Sequence, residues 1–452
     1  MLAVDMPIFS MMGRCINEGM VPYQDLFDHK GPILYFIYAF ADWLYRGVVG
    51  VYILQIVSLA VCLEFLYKTV TLFSSRRNAY IVNAVFLVCF LETIEGGGLT
   101  EEWSLPFLFI AMYLAIKSVL QDKFKYAYTM VYGIGCASLF LIRPNNIAII
   151  AGILVGLTIL FVVKQRYISL LKHFIMFLLC VVLVALPICL YFYQMDAMND
   201  FLNAFLFFNF KYSSDSVTKV WLKLYWVVSL TAVYFITRCC NTYNRKLDYI
   251  FIPALVITLV SVSMGYGYLH YYTLTLPLYS IFAAILIDNR LFLKNKVVML
   301  GLTASMALFI VMFVRAIFNR NTIHHYFKDE HPMFVEFKKM HDMIPASERN
   351  YVLTYNFNPS FYFMNDMLPP YKYFFLQDFL GSVDEDIRAE IDMLFQDNPP
   401  HYVLIDSSEG IANPVIYEIV RDQYRLIYSR DLKNKRVELY KLNKNVFKEV
   451  YQ

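Results

Sequence analysis

The ionisable residues best suited to chemistry cluster at the start of the chain, where Asp5 is followed by the run Asp25-Leu26-Phe27-Asp28-His29-Lys30. A carboxylate can take a proton from an acceptor hydroxyl, and a lysine can neutralise a phosphate as a bond to it breaks. We therefore predict that Asp5 accepts a proton and that Lys30 binds a donor phosphate. The candidates for substrate contact in the same run are Asp25, Asp28 and His29.

Further candidates lie in later connections between apolar segments. Glu101 and Glu102 follow a run of glycines and offer a second catalytic acid, while Arg143 before Pro144 offers a second phosphate-binding cation. His270, which adjoins two tyrosines, is a further candidate for substrate contact. No compact metal-ligand motif is visible, so we predict neither a metal site nor a cofactor, although the acids could bind a divalent cation.

Each candidate also has an ordinary structural interpretation. Asp5 and the two glutamates could cap helices, and the acids of the first loop could simply be solvated. Lys30 could reach the membrane interface, Arg143 could belong to a turn, and His270 could belong to an aromatic belt. Their occurrence together on one predicted face of a membrane protein favours a site, because ionisable residues there are usually functional.

The composition is that of a membrane protein. The chain has 452 residues, of which 59% are hydrophobic and 17% charged, and its mean hydropathy is +0.50. A soluble domain has about a quarter charged residues. The net charge of +3 and the lack of a basic block argue against nucleic-acid binding. The 8 cysteines form neither a disulfide framework nor a zinc spacing.

The apolar segments of the sequence predict the helices that hold these residues in place. A segment at 6–19, capped by Asp5, and an aromatic segment from Pro32 to Tyr45 are expected to lie in the membrane interface. A crossing needs roughly 20 apolar residues, and about ten crossings are predicted after Val48. They lie near residues 48–67, 80–94, 104–119, 127–142, 146–163, 173–193, 221–239, 249–265, 273–288 and 297–317.

Lysine and arginine recur in alternate connections, whereas Glu95–Glu102 and Gly265–Tyr272 contain none. By the positive-inside rule, the basic connections are cytoplasmic. The protein is therefore predicted to cross the cytoplasmic membrane, with residues 1–47 and the chain after Phe318 on the outer side. The same face is expected to carry Glu101, Arg143 and His270.

The C-terminal part has a different pattern, which divides the chain into a membrane domain at 1–318 and an extracytoplasmic domain at 319–452. Strands are predicted at 350–355, 401–406, 424–429 and 436–441, with helices at 385–395 and 414–422. This order predicts a small α/β domain after a polytopic helical bundle. No glycine-rich phosphate loop or nucleophile motif is visible there.

The run GMVPYQDLFDHKGPILY at residues 19–35 resembles the first outer loop of the GT-C superfamily of membrane glycosyltransferases. It looks most like bacterial members related to protein mannosyltransferases and lipid A aminoarabinose transferases. LTEEWSLP at 99–106 and LIRPN at 141–145 are similar to further family segments. The resemblance implies an inverting transferase that uses a polyprenyl-phosphate sugar.

The resemblance also implies roles for individual residues. Asp5 matches the first-loop acid of the family, Lys30 matches its basic residue near the lipid phosphate, and Glu101 or Glu102 matches an acid in the second outer loop. Asp28 would correspond to the acid before the lysine, although His29 intervenes. The family has a membrane helix before its catalytic acid, whereas four residues precede Asp5, so a first membrane helix is expected to be missing here.

The sequence therefore predicts transfer of a sugar from a polyprenyl-phosphate carrier to a hydroxyl of a glycan, lipid or protein, with the lipid lying against aromatic residues 33–45. One alternative is a transporter or flippase of lipid-linked sugars. No internal inverted repeat is visible, and Glu64 is the main charge within the predicted spans, both of which disfavour transport. Another alternative is an O-antigen ligase or polymerase, which shares the lipid-linked donor.

Overall fold

The computed structural model describes residues 5–212, 220–240, 243–264, 267–288, 332–408, 410–432 and 435–443. Its first part is helical, and short 3-10 turns at Pro144–Ile147 and Leu269–Thr275 interrupt two of the connections. The helices of this part are α1 Asp5–Asn17, α2 Pro32–Leu44, α3 Val48–Val70, α4 Arg76–Thr93, α5 Thr100–Gln121, α6 Tyr126–Phe140, α7 Ala148–Val163, α8 Tyr167–Gln194, α9 Met198–Leu202, α10 Phe208–Tyr212, α11 Val220–Arg238, α12 Asp248–Ser263 and α13 Leu276–Asp288.

Six helical segments of the described chain are long and apolar enough to cross a membrane, which confirms an integral membrane protein. They are Val48–Val70, Thr100–Gln121, Pro144–Val163, Tyr167–Gln194, Arg245–Ser263 and Leu269–Ile287.

Two other predicted crossings form helices that fall short of this criterion. The α6 helix has 15 residues, fewer than the roughly 20 that a crossing needs. The α4 helix carries three charges. The predicted crossing at 221–239 corresponds to α11, Val220–Arg238. The predicted crossing at 297–317 and the domain boundary at 318/319 lie outside the described residues.

The α1 helix differs from the interfacial helix that the sequence predicts. Asp5 belongs to the helix itself, and every residue from Met6 to Cys15 is buried. Neighbouring elements thus cover the polar side of α1 as well as its apolar side. Gly13 permits the close contact with α2, because a Cβ atom there would lie 2.5 Å from the Tyr38 carbonyl carbon. The pattern of polar and apolar residues cannot reveal a covering segment that comes from elsewhere in the chain.

The C-terminal region is an α/β unit, as the sequence predicts. Its strands are β1 Val352–Tyr355, β2 Tyr402–Asp406, β3 Tyr424–Leu432 and β4 Lys435–Leu442, in the sheet order β1-β2-β4-β3. β1 and β2 are parallel, and β4 pairs antiparallel with both of its neighbours. The helices are α14 Pro332–Asp342, α15 Ser360–Met364, α16 Gln377–Val383, α17 Glu385–Asp397 and α18 Pro414–Gln423.

The C-terminal unit contacts the loop between α1 and α2. The backbone N–H of Phe27 donates to the carbonyl oxygen of Lys372 at 2.9 Å, and the Phe27 ring packs on Tyr373 with ring centroids 5.3 Å apart. Buried Arg14 of α1 donates to Asp366 at 2.8 Å. The unit therefore fixes the loop that carries Lys30 from one side.

Candidate functional site

The loop before α2 is attached through its backbone to the turn that carries Arg143. The N–H of Gly31 donates to the Ile142 carbonyl oxygen at 2.9 Å, and that of Ile33 donates to Leu141 at 3.1 Å. A Cβ atom at Gly31 would lie 2.0 Å from the Leu141 carbonyl oxygen, so only glycine permits this approach. The attachment brings Lys30 and Arg143 together.

Asp28 organises the loop from within. One oxygen of its buried carboxylate accepts from the His29 backbone N–H at 2.8 Å, and the other accepts from the Tyr35 hydroxyl at 2.9 Å. Burial raises the pKa of Asp28 above its usual value, although the nearby Lys30 charge opposes this effect. The hydroxyl of Tyr23 also donates to the Lys30 carbonyl oxygen at 2.7 Å. Both oxygens of Asp28 thus accept hydrogen bonds that stabilise the conformation of the loop.

The Lys30 ammonium lies among charged neighbours. Its Nζ is 2.6 Å from Nε2 of His29. Burial lowers the pKa of Lys30, and the charge of Arg143 acts in the same direction. Three nearby carboxylates raise this pKa and so favour the charged ammonium; they are those of Asp28, Asp5 and Glu101.

Arg143 is held by a carboxylate and an aromatic ring. Its guanidinium donates to Glu101 at 2.6 Å and lies 4.3 Å from the centroid of the Tyr271 ring. The second oxygen of Glu101 accepts from the Thr100 hydroxyl at 2.9 Å. The Glu101 side chain is 2% exposed and that of Arg143 is 17% exposed, so the guanidinium keeps an accessible part while the carboxylate is enclosed. A narrow cleft adjoins the pair and is also lined by Asn146.

The two adjacent glutamates have different surroundings. One oxygen of Glu102 accepts from Gln55 at 2.9 Å, and the other accepts from the backbone N–H of Leu99 at 3.3 Å. Glu102 therefore caps the start of α5, whereas Glu101 contacts Arg143. The sequence did not distinguish between these two acids.

Asp5 and Asp25 also differ. Asp5 is half-buried, and its charge acts on both Lys30 and Asp28; within the described chain, no group donates a hydrogen bond to its carboxylate. Asp25 is exposed and accepts from the Val21 backbone N–H at 2.6 Å, which closes a turn. Asp5 thus has lone pairs available near the Lys30 ammonium.

Sequence reasoning missed several residues that support these side chains. Glu95 accepts from the backbone N–H of His270 at 3.2 Å and also contacts the His270 ring, and that ring packs against Tyr271 at 4.6 Å. Buried Asn146 donates to the Thr100 carbonyl oxygen at 3.1 Å. Glu95 and Asn146 lie in the same connections as Glu101 and Arg143, and this proximity in sequence was the signal that could have identified them.

The chain is similar to a known protein family in sequence and to solved structures in fold. Residues 10–296 match the family of competence-induced protein Ccs4 N-terminal domains, and no curated protein matches the sequence. The crystal structure of ArnT from Cupriavidus metallidurans bound to undecaprenyl phosphate is similar, with a TM-score of 0.64, 11% identity, and coverage of 96% of this chain and 92% of that chain. The crystal structure of the same ArnT in the apo state has a TM-score of 0.62 and 10% identity, with coverage of 97% of this chain and 93% of that chain. This likeness confirms the predicted GT-C-like fold.

Proposed function

The chain belongs to the family of competence-induced protein Ccs4 N-terminal domains, and we propose that it transfers a sugar from a polyprenyl-phosphate carrier to an acceptor hydroxyl. The observation that carries this proposal is the backbone attachment of Gly31 to Ile142, which brings Lys30 and Arg143 together at one end of the helical bundle, with Asp5 near Lys30. A similarly folded ArnT has been crystallised with undecaprenyl phosphate. A lipid phosphate is the ligand that two such cations at a membrane surface suit best.

The two cations would stabilise the leaving group. As the bond between the sugar and the phosphate oxygen breaks, negative charge accumulates on the phosphate, and fixed cations stabilise that charge. Arg143 offers a planar set of N–H donors, and its contacts with Glu101 and Tyr271 orient it before the lipid binds. Lys30 supplies a second, compact positive charge from the loop before α2.

Asp5 would act as the general base. The acceptor oxygen attacks the anomeric carbon, the bond to the phosphate oxygen breaks, and the hydroxyl proton passes to the Asp5 carboxylate. The attack proceeds with inversion, because it comes from the face opposite the phosphate. Glu101 suits this role less well, since Arg143 and Thr100 already occupy its two oxygens. We assign Glu101 to the orientation of Arg143.

We further propose that this end of the bundle and the C-terminal α/β unit face outward from the cytoplasmic membrane. The alternation of basic connections supports this orientation. The contact between Phe27 and Lys372 supports placing the unit beside the site. The acceptor is thus a hydroxyl of a glycan, lipid or protein on the outer side.

The proposal can be tested with the full chain in membranes and a panel of radiolabelled polyprenyl-phosphate sugars. We expect the wild type to consume a donor and the Asp5→Asn variant to lose roughly 10²–10⁴-fold in transfer while still binding it. Lys30→Ala should bind the donor more weakly. Glu18→Gln is the matched control, because Glu18 is an exposed acid just after α1, in the loop that carries Lys30.

Two results would contradict the proposal. If Asp5→Asn and Lys30→Ala match an active wild type, the site assignment is wrong. If the wild type is inert with every donor and acceptor yet moves lipid-linked sugars between leaflets, the protein is a transporter.

A further inference from the structure

We infer that His29 is a positioning residue for Lys30, whose ammonium it directs toward the phosphate by accepting a hydrogen bond at Nε2. This inference rests on the proposed function. The distance from Lys30 Nζ to His29 Nε2 is 2.6 Å. An ammonium has three donors and no acceptor, so the contact uses one donor and leaves others for phosphate oxygens.

The surroundings of the ring favour the tautomer that this contact requires. Nδ1 of His29 lies 3.4 Å from Oδ1 of Asp28. A carboxylate beside one imidazole nitrogen favours a proton on that nitrogen and leaves the lone pair on the other. A proton on Nδ1 therefore makes Nε2 the acceptor that faces Lys30.

The ring is also fixed in place and kept neutral. The backbone carbonyl oxygen of His29 accepts from Asn209 at 2.7 Å, and the ring centroid lies 5.4 Å from that of Phe208. Burial lowers the pKa of His29, and the positive charges of Lys30 and Arg143 lower it further. Since a protonated imidazole cannot accept at Nε2, this environment preserves the contact.

A packing role and a positioning role for His29 make opposite predictions for two substitutions. His29→Phe keeps a ring against Phe208 but has no nitrogen that could accept from Lys30. His29→Gln loses the ring but carries an amide oxygen at about the reach of Nε2. A positioning residue should therefore tolerate glutamine better than phenylalanine, and a packing residue should do the reverse.

The test is a titration of the purified full chain with undecaprenyl phosphate, with the thermal unfolding temperature of each variant as a folding control. We expect His29→Phe to weaken binding about tenfold or more, as the loss of a hydrogen bond to a charged group does. His29→Gln should bind within about threefold of the wild type, the residual difference that an imperfect hydrogen-bond geometry leaves. In the transfer assay, His29→Phe should raise the donor KM more than it lowers kcat at saturating donor.

The inference would be overturned if His29→Phe bound like the wild type or if His29→Gln were the weaker variant. In either case wild-type binding and transfer would still support the proposed function. A wild type that binds no undecaprenyl phosphate and transfers no sugar would instead refute the proposed function, and the inference with it.

Discussion

The two ends of the helical bundle hold ion pairs of the same chemistry in opposite environments. At the end that carries Lys30, the Glu101–Arg143 pair has side-chain exposures of 2% and 17%. At the other end, Asp122 pairs with Lys164 and Arg166, and the exposures are 47%, 27% and 43%. An exposed pair contributes about 0–1 kcal/mol, whereas burying charges is costly unless they are paired. We infer that function explains the buried pair and that the exposed pair only secures a connection.

The end of the bundle that holds the buried Glu101–Arg143 pair also joins parts of the chain that are far apart in sequence. The first loop attaches to the turn at Arg143 through Gly31, and the pair is completed by the start of α5 and by Tyr271. At the other end, Asp122 and its partners belong to connections that flank α6 and α7. A change at the buried end should therefore disturb several elements at once.

The largest effect is expected for Arg143→Ala. The substitution leaves the Glu101 carboxylate buried without its cation, which costs about 3–5 kcal/mol of stability. The loss of a charge that stabilises the transition state should also reduce transfer by at least about 100-fold. Thermal unfolding in detergent and the donor-consumption assay measure the two effects.

Two variants control for this prediction. Arg143→Lys keeps the positive charge and should recover part of the stability but less of the transfer, because lysine lacks the planar donor set. Arg166→Ala at the exposed end should change stability by no more than about 1 kcal/mol. Equal losses for Arg143→Ala and Arg166→Ala would contradict the distinction between the two ends.

A second, smaller effect separates the adjacent glutamates. Glu101→Gln keeps the shape of the side chain but removes the charge that orients Arg143, so we expect the donor KM to rise about tenfold, as when one charge-assisted hydrogen bond is lost. Glu102→Gln retains an acceptor for the Leu99 N–H and should cost about 1 kcal/mol or less. Steady-state kinetics at several donor concentrations measure the difference. If Glu102→Gln were the inactive variant, the assignment of these two acids would be reversed.

The sequence was sufficient to predict the C-terminal sheet and to place Glu101 and Arg143 at the same end of the bundle. A short run of apolar residues marks a buried strand locally, so β2 at Tyr402–Asp406 was predicted to within a residue. The charge of the connections assigned Glu101 and Arg143 to one face, and the structure brings them into contact. The strand signal is local, and the assignment of a connection to a face depends only on counting the predicted membrane crossings.

Other features depend on contacts that no local pattern contains. Successive residues of a helix point about 100° apart, so the rotation of α5 decides that Glu101 contacts Arg143 while Glu102 caps the helix. The stacking of Arg143 on Tyr271 and the docking of Phe27 on Lys372 join segments far apart in sequence. The full burial of α1 is missed for the same reason.

A third prediction uses the pH dependence of Lys30. Burial lowers its pKa below the usual 10.5, and the ammonium that binds phosphate is lost as the pH rises through this lowered value. Wild-type affinity for undecaprenyl phosphate should therefore be full below that pKa and fall at alkaline pH. Arginine stays charged up to about pH 12, so Lys30→Arg should bind with little change over the same range.

The measurement for Lys30 is a set of binding titrations from neutral to alkaline pH for both proteins. An equal alkaline loss in the wild type and in Lys30→Arg would show that another group controls phosphate binding. The melting temperature of each protein across the series separates loss of affinity from loss of fold.

The smallest effect is expected for Asp122→Asn at the exposed end. The substitution removes the charge that pairs with Lys164 and Arg166, but solvent already screens these groups, so stability should fall by no more than about 1 kcal/mol. Higher salt should reduce even this loss, because it screens the wild-type pair. Donor KM and kcat should equal those of the wild type, since the substituted side chain lies at the far end of α5. A fall in transfer at unchanged stability would mean that the exposed end contributes to the reaction, and the division of roles between the two ends would have to be abandoned.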